Sequence, residues 1–231
     1  MTDNCCALAL EASSDRLSLA ARRGTRLEHF EATPARTATA DLYGHACRLL
    51  GILGADLADL DYVAFGCGPG SFTGVRLAAA AAQALAYARG IPVCRVSSLA
   101  VLAAGAGPGL HAICIDARMG RAYAALYRVG GQPAGGGPVP VMAEALVDPA
   151  VFTFPGDEPF DGLGDAWQVF PALPGRHRSR LGGMRPDLLP SARDLLSIAD
   201  LDFAAGRTVP PAGALPEYLG QMPASRPVKP E

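Results

Sequence analysis

The chain has 231 residues, half of them apolar, and a formal net charge of −2. That length bounds it to one large or two small domains with room for a sizeable core, and the near-balanced charge excludes a global pull toward nucleic acid or anionic membrane. Lysine occurs once, at Lys229, so no motif has the lysine of a P-loop, a Schiff base or a catalytic ammonium.

Six cysteines, Cys5, Cys6, Cys47, Cys67, Cys94 and Cys114, form no C-x-x-C pair and lie mostly in apolar runs. They read as small buried hydrophobes rather than a disulfide framework. Met1 to Asn4 lacks a basic n-region and an apolar h-region, and no run is apolar enough to span a membrane. A cytoplasmic, reduced protein with no membrane partner is the expectation.

In chain order, Cys5 to Ala12, Leu17 to Arg22 and Arg26 to Phe30 are apolar or alternating runs joined by turn clusters, which predicts an antiparallel three-stranded meander. Asp41 to Leu53 places Leu42, Ala46, Leu49, Leu50 and Leu53 at helical spacing. Tyr62 to Phe65 is a strand leading into the glycine-rich turn Gly66 to Gly74, and Val75 to Arg89 is an alanine-rich helix. Ile91 to Val96 is a strand, and Ser97 or Ser98 caps a helix through Ala104. Gly105 to Gly109 reads as a linker, followed by strands at His111 to Asp116, Arg121 to Val129 and Val139 to Met142, with a loop over Gly130 to Pro138. Phe160 to Gly164 is a strand end, Ser191 to Ala205 a helix, and Gly220 onward a loose tail. The β-β-β pattern recurs, which points to a duplicated α/β architecture.

The glycine turn is the centre of interest, because a helix N-terminus offers unpaired N–H groups and partial positive charge to an anion. It nevertheless lacks the spacing of a Walker loop or of G-x-G-x-x-G, and Pro69 removes a donor. The other reading is structural: Gly68, Pro69, Gly70 and Gly74 shape a tight turn while Ser71 or Thr73 caps the helix. G-x-S-x-G is absent, and His29, His45, His111 and His177 form no metal motif. Glu11 and Asp116 end strands where an acid would hold a metal or activate water, or where it would face solvent; for Glu11, pairing with Arg16 is equally ordinary. The alanine helix supports two readings as well: close packing on its own sheet, and a second face that receives a helix from another molecule.

Gly68-Pro-Gly-Ser-Phe-Thr-Gly-Val-Arg76, the alanine helix, Gly90-Ile-Pro-Val93 and Ser97-Ser98-Leu99 resemble the TsaB (YeaZ) family. Asp116-Ala117-Arg118-Met119-Gly120-Arg121-Ala122-Tyr123 and Pro216-Glu217-Tyr218-Leu219 are similar to two further elements of that family. The resemblance implies an α/β, actin/Hsp70-like (ASKHA) fold of two lobes, each a mixed sheet flanked by helices. It implies a docking lobe over 1–105, a second lobe over 106–220 and a loose tail over 221–231. It also implies a non-catalytic subunit that pairs with the transferase TsaD, is joined by the small ATPase TsaE, and meets tRNA only through that complex, for N6-threonylcarbamoylation of adenosine 37 in tRNAs reading ANN codons. Self-association through the same face is implied when TsaD is absent. No catalytic, cofactor-binding or metal residue is expected, and docking is assigned to Leu42, His45, Ala46, Leu49, Val75, Arg76, Ala79 and Gln83. For Arg76, pairing with an acid as a structural anchor is the competing reading. Two positions depart from the family: Glu11 stands where Asp is usual, and Gly220 where Arg is expected. The competing functions are an ATP-binding enzyme using the inter-lobe cleft and a glycoprotease-like peptidase.

Overall fold

The computed structural model describes residues 4–33, 35, 39–130 and 136–220. The tail expected over 221–231, and 131–135 of the expected loop, lie outside the described residues.

The first sheet grows from β1 (Cys6–Glu11), whose six residues are all buried. β2 (Leu17–Arg23) pairs antiparallel with β1, and β3 (Arg26–Ala32) antiparallel with β2. β4 (Tyr62–Gly66) and β5 (Val93–Val96) extend the other side in parallel, giving the order β3-β2-β1-β4-β5. A strand buried on both faces needs cover on both, and its alternation shows which residues face which layer. Leu8, Leu10, Val63 and Phe65 point into a core shared with α1 (Leu42–Ile52) and α2 (Phe72–Arg89). There the bulk comes from the sheet and the small residues, Ala78, Ala79, Ala82 and Ala86, from α2, so large side chains seat against a slim helix. On the opposite face the strands present the small Ala7, Ala9 and Ala64 together with the bulky Tyr62, and Leu195 and Leu196 of α6 (Ala192–Ala204) pack against them.

The second sheet repeats the plan. β6 (Gly109–Arg118), β7 (Arg121–Val129) and β8 (Val139–Val147) form an antiparallel meander, and β9 (Phe160–Leu163) and β10 (Leu181–Arg185) add in parallel beyond β6. Read outward from the meander, β8-β7-β6-β9-β10 has the same order and strand directions as β3-β2-β1-β4-β5. The two mixed sheets flanked by helices are the actin/Hsp70-like two-lobe fold. Short helices α4 (Ala166–Val169) and α5 (Ala172–Arg176) cover a core around Trp167, whose indole N–H donates to the Ala112 carbonyl at 3.0 Å.

Between the sheets runs α3 (Ser98–Ala106), capped by the Ser97 hydroxyl, which accepts from the Leu99 and Ala100 amides. The stretch expected as a linker is instead the end of α3, one turn at Gly107 and the start of β6. Leu99, Leu102 and Ala103 are buried against Ile113, Ala125 and Tyr127 of the second sheet. The joint is therefore packed. α6 belongs to the later half of the chain but returns to the first sheet: Tyr62 stacks on Phe203 with centroids 4.5 Å apart, and Arg22 pairs with Asp200 at 2.5 Å. β8 runs five residues beyond the expected Met142, and neither β10 nor α5 was marked by any periodicity.

Candidate functional site

The turn from Gly66 to Gly74 is closed by the chain itself. A Cβ on Gly74 would overlap the Ala12 carbonyl, so the backbone leaving β1 requires glycine there, and one on Gly66 would overlap the side-chain carboxyl of Glu11 on β1. The Ser71 amide donates to the Ser13 carbonyl at 2.6 Å, and the Ser71 hydroxyl accepts from the Gly74 amide at 3.3 Å. Ser71 is thus the cap, and Thr73 is left exposed. Pro69 is buried, Gly70 rests against the Ser13 carbonyl, and the Gly68 carbonyl accepts from the Ser98 amide at 2.9 Å. Of the amides at the start of α2, that of Ser71 is spent on the Ser13 carbonyl and that of Gly74 on the Ser71 hydroxyl.

Glu11 neither reaches solvent nor pairs with Arg16. It is fully buried, its Oε1 accepting from the Ser13 amide at 2.7 Å and its Oε2 from the Ser98 hydroxyl at 3.0 Å. Burial pushes this carboxyl above the usual carboxylate range, against the pull of those hydrogen bonds. Arg16 turns to Glu31, at 3.0 Å, and to the Leu189 and Pro190 carbonyls. Across the joint, Glu144 of β8 accepts from the Ser97 hydroxyl and from the Tyr127 hydroxyl, the latter at 2.8 Å, and burial raises its pKa too. Cys67 is buried beside Glu217, and burial pushes its thiol up to about 12, which keeps it protonated at neutral pH. Asp116 is tied to Arg118, whose amide and guanidinium both donate to it at 2.8 and 3.0 Å. Arg118 and Met119 at that hairpin tip have φ of 67° and 52°, and Met119 is 96% exposed. Among the described residues, no three His, Cys, Asp or Glu side chains are grouped to hold a metal ion.

The residues assigned to docking divide by helix face. Leu42, Ala46 and Leu49 of α1, and Val75 and Ala79 of α2, are buried against the sheet. Their apolar periodicity marks the inward side of each helix, so none of them presents a surface to another molecule. His45 is half-buried, stacked on Phe30 with centroids 3.8 Å apart. Gln83 donates to the Pro211 carbonyl at 3.1 Å. Arg76 is exposed, but its partner is Tyr218 rather than an acid: the Arg76 Nε–H donates to the Tyr218 hydroxyl at 2.9 Å. The outward faces consist of other residues, namely Tyr43, Cys47 and Ile52 on α1 and Phe72, Ala80, Ala84 and Tyr87 on α2. Reading the exposed i, i+4 row beside the buried one would have picked these out.

A family model described as "TsaD: tRNA N6-adenosine threonylcarbamoyltransferase" matches residues 39–155. A curated relative from Escherichia coli K12, the "tRNA threonylcarbamoyladenosine biosynthesis protein TsaB", is 35% identical over 92% of this chain and 93% of its own. The protein of the same name from Haemophilus influenzae is 37% identical over 50% of this chain and 51% of its own. Among solved structures, "YeaZ from Pseudomonas aeruginosa" superposes with a TM-score of 0.85 at 34% identity, covering 93% of this chain and all of that one. With its two-lobe fold and this end-to-end similarity, the chain belongs to the TsaB (YeaZ) family of tRNA threonylcarbamoyladenosine biosynthesis proteins.

Proposed function

We propose that this chain is the non-catalytic, cytoplasmic subunit of threonylcarbamoyladenosine synthesis, pairing with a TsaD-type transferase through the outward faces of α1 and α2. The observation that carries this reading is the contrast between the two aspects of α2. The Ser71 and Gly74 amides at its start are satisfied by the Ser13 carbonyl and the Ser71 hydroxyl, while its outward residues Phe72, Ala80, Ala84 and Tyr87 are exposed. A slim exposed row lets a partner helix approach toward the short end of the usual 8–10 Å range, with the aromatics at either end as anchors.

The division of labour follows from the same features. The lobe over 1–105 supplies the docking helices, the stretch over 106–220 supplies the second sheet and returns α6 as a brace, and adenosine 37 is reached through the partner. TsaE joins the pair, and the same face serves self-association when the transferase is absent. Co-expression with the transferase of the same organism, followed by light scattering and an assay for the modified adenosine, tests this. A stable one-to-one complex needed for modification supports it. Two proteins that never associate, even with nucleotide and TsaE present, would sink it.

A further inference from the structure

The exposed side of α2 holds an arginine, Arg76, that no acidic side chain among the described residues neutralises. The Arg76 guanidinium carbon lies 3.3 Å from the Phe72 ring centroid and 5.6 Å from that of Tyr218. The Tyr218 hydroxyl takes the Nε–H at 2.9 Å, and among the described residues the two terminal nitrogens have no hydrogen-bond partner. Among the described residues no carboxylate pairs with Arg76, and α2 contains no Asp or Glu. Phe72 and Tyr218 remain 61% and 50% exposed, so the cluster stands at the surface.

Tyr218 reaches this place on a segment that crosses the first lobe. Val209 bridges to Val93, the Leu215 carbonyl accepts from Arg95 at 3.0 Å, and the Glu217 amide donates to the Cys67 carbonyl at 2.8 Å. The strap therefore fixes Tyr218 against a helix 142 residues away in sequence. A long cationic side chain normally loses much rotamer freedom on binding, and a guanidinium already stacked and hydrogen-bonded has lost it beforehand.

We propose that Arg76, stacked on Phe72 and hydrogen-bonded to Tyr218, is a preorganised anchor for a carboxylate side chain on the docked protein partner. This rests on the docking reading above. Its outward face is cationic and aromatic, which is complementary to an acidic residue on the facing helix. A protein carboxylate is favoured over a free phosphate because it needs only the one guanidinium, whereas the Ser71 and Gly74 amides at the start of α2 are already bonded to the Ser13 carbonyl and the Ser71 hydroxyl.

Affinity of the full-length chain for the purified transferase is measured for the natural protein, R76A, R76K and Y218F, at low and at raised salt. R76A is expected to weaken binding about 30-fold, the scale of a well-packed arginine hot spot. R76K is expected to recover little of this, since an ammonium neither forks nor stacks as a guanidinium does. Y218F keeps the ring and releases Nε, for a loss of about three- to tenfold, the scale of one modest hydrogen bond. The natural complex is expected to lose more affinity on adding salt than the R76A complex. Binding by R76A within twofold of the natural protein, or an unchanged salt dependence, overturns the proposal. So does tight binding of inorganic phosphate to the chain alone that R76A abolishes. If the natural protein does not bind the transferase, the docking reading falls and takes this inference with it, whereas normal binding by R76A removes the inference alone.

Discussion

The carboxyl of Glu11 fills the space that a side chain on Gly66 would need, on the neighbouring strand of the same sheet. Glu11 is held there by the Ser13 amide and the Ser98 hydroxyl, so it joins the β1–β2 turn, the glycine turn and the start of α3 at one buried point.

Gly66→Ala should therefore destabilise the protein by about 2–3 kcal/mol, the cost of forcing a methyl into a packed site. The penalty should shrink to under about 1 kcal/mol in an E11A background, because the two changes share one space and are not additive. Urea unfolding of the four proteins in this cycle measures it, and equal penalties in both backgrounds would refute the shared-space account.

Glu11 and Glu144 also predict a pH dependence. Burial raises both pKa values in the folded chain. Between the ordinary glutamate value of about 4.3 and the raised folded values, the folded state binds more protons than the unfolded. Their contribution to stability is thus full below about pH 4.3 and is lost as pH rises through the raised folded values. Substituting E11Q and E144Q together should flatten this decline in a series of urea midpoints from acid to neutral pH. A decline as steep in the double variant as in the natural protein would contradict the assignment.

Much of this fold is legible in the sequence, and the exceptions have physical causes. The strand–turn–helix at Gly66 to Arg89 announces itself through its glycines, its Ser71 cap and its unbroken helix formers. β10, by contrast, is Leu-Gly-Gly-Met-Arg on an exposed edge, and no alternation marks a strand without a covered face. Gly105 and Gly107 read as a linker, although the first lies inside the last turn of α3 and only the second, just past Ala106, breaks it. At the site, periodicity located the helices but selected their buried rows, since apolar spacing reports the core first. The burial of Glu11 and the Arg76–Tyr218 contact depend on the return of distant segments, which no local pattern encodes.

The outward row of α2 separates two substitutions that look alike in sequence. Ala79→Trp inserts an indole into the core and should destabilise by about 3 kcal/mol. Ala84→Trp projects outward and should leave stability within about 0.5 kcal/mol while blocking helix approach. Thermal melts and transferase pull-down of both variants check this, and a folded Ala84→Trp protein that binds normally would remove α2 from the interface.

Thiol labelling gives an independent probe. Cys5, Cys6, Cys67, Cys94 and Cys114 are buried and Cys47 is exposed on α1. Burial pushes the Cys6 thiol to about 11 and those of Cys67, Cys94 and Cys114 to about 12. At pH 8 the native chain should label rapidly at Cys47 alone, and docking through α1 should slow that reaction. Rapid labelling of several thiols in the native protein would contradict the packing described.

We propose above that this chain works through a protein partner bound at the outward faces of α1 and α2. Light scattering on the chain mixed with the transferase of its own organism tests it most directly, with Ala84→Trp as the matched control. A one-to-one complex that forms with the natural protein and fails with Ala84→Trp is the predicted result. Two natural proteins that elute separately, with nucleotide and TsaE present, would contradict it.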